Sequence, residues 1–119
     1  MKKIILADDN DSIRKSSARL ITILLHIEVD TVENGNLLVE RVRTNGNDYG
    51  LIITDDSMPV MNGIDATREI RKFNKDIPII MNSGSDRQEE ALKAGVTEYV
   101  PKGYPEHRMD AVRRLYRGD

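Results

Sequence analysis

The sequence predicts an α/β fold: a doubly wound parallel sheet with helices on both faces. Short apolar, β-branched runs recur along the 119 residues, stretches with helical spacing of apolar residues separate them, and Gly, Pro or Asn marks most junctions. Such alternation implies parallel strands joined by right-handed crossovers, because a right-twisted strand feeding a helix packs back onto its sheet only in that hand. No linker, repeat or low-complexity tract interrupts the pattern, so residues 1–119 read as a single domain, long enough to bury a core.

The elements follow in order. Lys3-Ile4-Ile5-Leu6-Ala7 is a buried strand that stops at Asp8-Asp9-Asn10-Asp11, where Asn10 or Asp11 can cap a helix with Ile13, Ser17, Leu20, Ile21 and Leu24 near one face. Glu28 to Val32 alternates polar and apolar, as a half-buried edge strand does. Asn34-Gly35-Asn36 leads into a helix carrying Leu38, Val39 and Val42, which fades at Asn45-Gly46-Asn47. The central strand is residues 51–55, and a helix through Ile64, Thr67 and Ile70 runs to about Phe73. Pro78 to Ser83 is the fourth strand, and a short helix from Gln88 to Ala94 stops at Gly95, a natural left-handed terminator. Glu98 to Lys102 is the fifth strand. Pro105 opens a last helix with Met109, Val112, Leu115 and Tyr116 near one stripe.

Composition narrows the function classes. A net charge of -2 gives no general attraction to nucleic acid or anionic membrane. Zero cysteines exclude disulfides and thiolate metal sites and fit a reducing compartment. No apolar run reaches the roughly 18 residues of a membrane span and no secretory pattern opens the chain, so a cytoplasmic protein is expected.

The chemistry gathers where the strands end. In a parallel sheet Asp8 and Asp9, Asp55 and Asp56, Ser83 and Lys102 all fall on one edge, the edge where open α/β sheets bind ligands. Singly these residues have plainer uses: the acidic pair as helix caps, Ser83 as a strand-end hydroxyl, Lys102 as a solvated charge. Together the carboxylates would repel unless a cation sat among them, and all-oxygen ligation suits Mg²⁺. With a hydroxyl and an ammonium beside it, such a site could receive a phosphoryl group on Asp55. His26 and His107 are isolated and read as surface residues, and Arg113, Arg114 and Arg117 as a solvated helix end.

Four features in order resemble the receiver domain of two-component response regulators: Asp8-Asp9 after an apolar strand, Asp55-x-x-Met58-Pro59 with Gly63 eight residues after the Asp, Ser83 closing strand four, and Tyr99-x-x-Lys102. The resemblance implies a flavodoxin-like (βα)5 fold with strand order 2-1-3-4-5. It implies a phosphoacceptor signalling domain, not an enzyme acting on a separate substrate, with Asp55 taking phosphate from a sensor histidine kinase or phosphotransfer protein. The spacing to Pro59 favours Asp55 over Asp56, whose side chain would point to the other face. By the same resemblance Asp8, Asp9, Asp55 and the Ser57 backbone carbonyl hold Mg²⁺, and Lys102 pairs with the phosphoryl oxygens. Ser83 and Tyr99 switch the surface of helix four, strand five and helix five towards a downstream protein, with no direct nucleic-acid or membrane contact. Small Mg²⁺-dependent phosphatases and unphosphorylated binding modules are the competing classes.

Several features depart from the family pattern. Gly103 follows Lys102 where proline is usual, so a trans bond is expected there. The segment from Ser83 to Lys102 is nearly a helical turn short. Asn82 replaces an apolar residue. Val96-Thr97-Glu98 lacks the acidic pair common before the strand-five aromatic, so the symmetric dimer of DNA-binding members is not expected.

Overall fold

The computed structural model describes residues 1–119 and carries five parallel strands in the order β2-β1-β3-β4-β5. In chain order the elements are β1 (Lys3–Ala7), α1 (Asp11–Leu25), β2 (Val29–Val32), α2 (Gly35–Asn45), β3 (Tyr49–Thr54), α3 (Gly63–Arg71), β4 (Ile79–Ser83), α4 (Gln88–Ala94), β5 (Glu98–Pro101) and α5 (Pro105–Leu115). A 3-10 turn at Gly46–Asp48 joins α2 to β3. The flavodoxin-like order expected above is the observed one.

Side-chain alternation along the central strands builds two cores. Ile5, Ala7, Ile52, Ile79 and Met81 face α2, α3 and α4, whereas Ile4, Leu6, Leu51, Ile53 and Ile80 face α1 and α5. β3 is buried over its whole length, as a strand covered on both faces must be. Each fully buried isoleucine contributes about 1.5–3 kcal/mol, so these rows dominate the energetics.

Three of the βα junctions share one device. The side chains of Asn10, Asn34 and Asn62 each accept a hydrogen bond from the backbone N–H three residues on, at 2.9, 2.8 and 2.8 Å, which caps α1, α2 and α3. The cap of α1 is thus Asn10 and not Asp11.

Several boundaries differ from the sequence expectation. β3 begins two residues early, at Tyr49, which pairs with Lys3 of β1 in the ladder and whose hydroxyl donates to Asp30 at 2.6 Å. Asp55 and Lys102 stand one residue past their strands. α3 ends at Arg71, before Phe73. The largest difference is on α1, where Ser17 and Ile21 are the buried residues while Ile13, Leu20 and Leu24 are 42%, 37% and 50% exposed. A stripe through Arg14, Ser17, Ala18, Ile21 and Leu25 faces the sheet instead. No peptide bond is cis, and Gly103 takes up the turn after Lys102 with φ 96°.

The chain ends meet at the edge opposite the carboxylates. Lys2 N–H donates to Gly118 O at 3.1 Å, Arg117 N–H donates to Gly50 O at 3.1 Å, and the Tyr116 hydroxyl donates to Lys2 O.

Gly63 is the tightest fit near the acidic loop: it donates to Asp56 O at 2.8 Å, and a Cβ there would lie 2.1 Å from Asp55 O. Gly63→Ala is therefore expected to cost about 2–3 kcal/mol through forced backbone displacement. Urea titration of the two proteins checks this; equal midpoints would show that the loop yields freely.

Candidate functional site

The sheet ladder continues one step past the strands and fixes the polar edge. Asp8 N–H donates to Val32 O at 3.1 Å, Asp55 N–H to Ala7 O at 2.9 Å, and Lys102 N–H to Ser83 O at 3.1 Å. Asp8, Asp55 and Lys102 therefore sit on backbone bonds and not on free loop tips.

Asp8, Asp9 and Asp55 each bring a carboxylate oxygen within 4.8 Å of the others. Asp8 and Asp55 are buried, while Asp9 faces solvent. Lys102 Nζ lies 3.0 Å from Asp55 Oδ2 and 3.6 Å from Asp8 Oδ2, spanning the two buried acids. The free oxygen of each acid also has a donor: Asp56 N–H at 2.7 Å for Asp55 Oδ1, and Asn10 N–H at 3.0 Å for Asp8 Oδ1. The donor set is all oxygen, which fits a hard divalent cation and not a thiophilic one. The largest surface cleft, about 500 Å³ between β2, α2 and Arg14, contains none of these acids.

Over residues 4–113 the chain matches the response regulator receiver domain. The chain belongs to that family. Chemotaxis protein CheY1 of Helicobacter pylori strain J99 is 35% identical over 107 residues, covering 86% of each chain. Response regulator UvrY of Escherichia coli is 30% identical over 123 residues, which is 99% of this chain and 56% of that protein. Among solved structures, chemotaxis response regulator CheY4 of Vibrio cholerae superposes with a TM-score of 0.87 at 26% identity, covering 97% of this chain and 98% of that one. The receiver domain of Francisella response regulator 1452 gives 0.88 at 27% identity, covering 98% and 97%. Receiver domains generally bind Mg²⁺, and response regulators act with histidine kinases and downstream targets. No helix of this receiver is long and apolar enough to cross a membrane.

The structure separates the two adjacent acids of this receiver. Asp55 faces the cluster, whereas Asp56 turns to the other side of the sheet, where Oδ1 accepts from Ile64 N–H at 3.3 Å and Oδ2 pairs with Arg87 Nη1 at 3.0 Å. Ser83 Oγ is turned to its own loop, 3.0 Å from Ser85 Oγ, and accepts from Ser85 N–H at 3.1 Å. Tyr99 is half-buried and already directed inward, its hydroxyl donating to Ser83 O at 3.3 Å and to Ser85 O. Ser57 is exposed beyond Asp56, and both histidines are exposed. Glu98 is held by Arg114 of the same chain at 3.0 and 2.7 Å. Sequence reading missed Asp56–Arg87 and a buried arginine, Arg108; only the polar Asn82 within an apolar strand hinted at the second.

Burial pushes the Asp55 carboxyl above the usual aspartate range, and the Lys102 ammonium and Asp56 amide only partly offset it. For Lys102, burial pulls downward but the attraction of Asp55 and Asp8 outweighs it, so the ammonium is held above its ordinary value. An acid whose folded pKa is raised favours the fold below its unfolded pKa, and that advantage is lost as pH rises through the folded value. Metal-free Asp55→Asn is therefore expected to melt a few degrees above the parent at pH 7. The gap should close as pH falls towards the unfolded aspartate value near 3.9. Thermal melts in chelator from pH 7 to pH 4 check it, and a gap that widens on acidification would contradict the assignment.

Proposed function

We propose that this receiver accepts a phosphoryl group on Asp55 from a phosphohistidine of a sensor kinase or phosphotransfer protein in the cytoplasm. The single observation that carries this is the convergence of Asp8, Asp9 and Asp55 under the Lys102 ammonium, with Asp56 excluded from the cluster.

The chemistry follows from the donors and charges. An Asp55 carboxylate oxygen attacks phosphorus, the P–N bond to the donor imidazole breaks, and its electron pair returns to the ring nitrogen. Lys102 bridges Asp55 and Asp8 before transfer and can follow the new acyl phosphate without leaving the pocket, because its Nζ is a compact charge on a flexible stem. Asp8, Asp9, Asp55 and the Ser57 carbonyl would hold Mg²⁺, which when bound neutralises the carboxylates and the phosphoryl oxygens. Ser83 would exchange its bond to Ser85 for one to a phosphoryl oxygen. That exchange alters the loop whose carbonyls hold Tyr99, and so the α4-β5-α5 surface offered to a downstream protein. The domain carries out only its own phosphorylation and dephosphorylation.

Incubation with acetyl phosphate and Mg²⁺ is expected to add one phosphoryl group by intact mass to the parent and to Asp56→Asn, and none to Asp55→Asn. Labelling of Asp55→Asn at the parental level would overturn the assignment, and multiple turnover of a generic phosphate ester would instead support a phosphatase. Mg²⁺ at about 100 times its dissociation constant is expected to add roughly 2.7 kcal/mol to parental stability. A melt indifferent to millimolar Mg²⁺ would remove the metal from the reading.

A further inference from the structure

Below the carboxylates, on the α1/α5 side of the sheet, the core contains a polar group that phosphoacceptor chemistry has not used. Arg108 of α5 is only 9% exposed. Its Nη1 donates to Ser17 Oγ at 3.0 Å and, more loosely, to Asn82 Oδ1 at 3.4 Å, while Asn82 Nδ2 donates to Val100 O at 3.0 Å. This accounts for Asn82 in an apolar strand: it is the β4 half of a cradle for a guanidinium. Arg108 makes no ion pair within 4 Å, yet a buried cation without a compensating charge is strongly unfavourable.

The compensation lies across a small void. A cavity of about 10 Å³ is lined by Asp8, Asp55, Ser17, Asn82 and Arg108 among apolar neighbours. That is about the space of one water, and a buried water needs two to four polar partners, which this lining supplies. Arg108 Nε is the one buried side-chain polar atom without a hydrogen-bond partner in the molecule. Asp8 is the charge that acts on Arg108, opposing the downward pull of burial.

We propose that Arg108 is an internal counter-cation of the carboxylate cluster, joined to it by a single water held between its Nε and the Asp8–Asp55 side of the void. Lys102 balances the acids from the open side and Arg108 from within the core. The Lys102 stem is mobile and must serve the phosphoryl group, whereas Arg108 is fixed by two hydrogen-bonded neighbours and stays in place through the cycle. Its charge supports the clustered acids when no metal is bound, opposes a divalent cation, and favours a dianionic phosphoryl group. Arg108 is thus a positioning residue that sets the electrostatic level of the site without touching substrate. This inference rests on the cluster holding Mg²⁺.

Calorimetric titration with Mg²⁺ alone, on the unphosphorylated protein, tests it. Arg108→Met removes the charge, and Asn82→Leu/Arg108→Met removes it while filling the cradle with apolar atoms, a variant built to fold even if the single one does not. Both are expected to bind Mg²⁺ about three- to tenfold more tightly than the parent. Asn82→Leu alone, which keeps the charge, is expected to stay within about twofold of the parent. Native circular dichroism with parental Mg²⁺ affinity in the charge-free variants would overturn the proposal and leave the phosphoacceptor reading intact. A parent that binds no Mg²⁺ would overturn the proposal together with the metal part of the phosphoacceptor reading. Independently of any variant, a high-resolution crystal structure of the parent is expected to show one ordered water bonded to Arg108 Nε and to an oxygen of Asp8 or Asp55. A dry void there would overturn the proposal.

Discussion

Everything at the working edge of this receiver depends on like charges held close together. A parallel sheet puts the ends of β1 and β3 side by side, and ladder bonds run one residue further, so Asp8 and Asp55 cannot separate without breaking backbone pairing. Two buried carboxylates and an exposed third then share a space less than 5 Å across. The cost of that crowding is met by hydrophobic rows on both faces, which make the strand ends rigid enough to resist the repulsion. Such a set of oxygen donors could hold a metal ion, and receiver domains generally bind Mg²⁺.

The step from Asp55 to Asp56 divides the molecule into two polar systems. One faces α1 and α5 and contains the acids, Lys102 and Arg108. The other faces α3 and α4 and links Asp56 to Arg87, with Ser85 Oγ 3.4 Å from the same carboxylate oxygen. Ser83 and Ser85 sit at the seam, bonded to each other, and Tyr99 reads the same loop through its carbonyls. Ser83, Ser85, Asp56 and Arg87 thus form one hydrogen-bonded chain from the end of β4 to the N-terminal end of α4.

Much of this was legible in the sequence because it depends on period and order. Strand runs ending in Asp, Asp, Ser and Lys specify one edge, and a period of two is enough to separate Asp55 from Asp56. The α1 face was not legible: Ile13, Leu20, Ile23 and Leu24 surround the helix with apolar residues, and the sheet is met by a stripe including Arg14 and Ser17, which hydrogen bonding makes tolerable there. The partners of Asp56 and Arg108 could not be read either. Arg87 is 31 residues from Asp56, and Ser17 is 91 from Arg108, and pairing over such distances is set by packing and not by local pattern. Asn82 was the visible trace of the second pair.

The clasp between Lys2, Gly50 and the segment Tyr116–Gly118 places both chain ends behind the sheet, about one strand length, roughly 17 Å, from the carboxylates. A segment joined at either end would therefore start on the side of the molecule away from Asp8, Asp9 and Asp55.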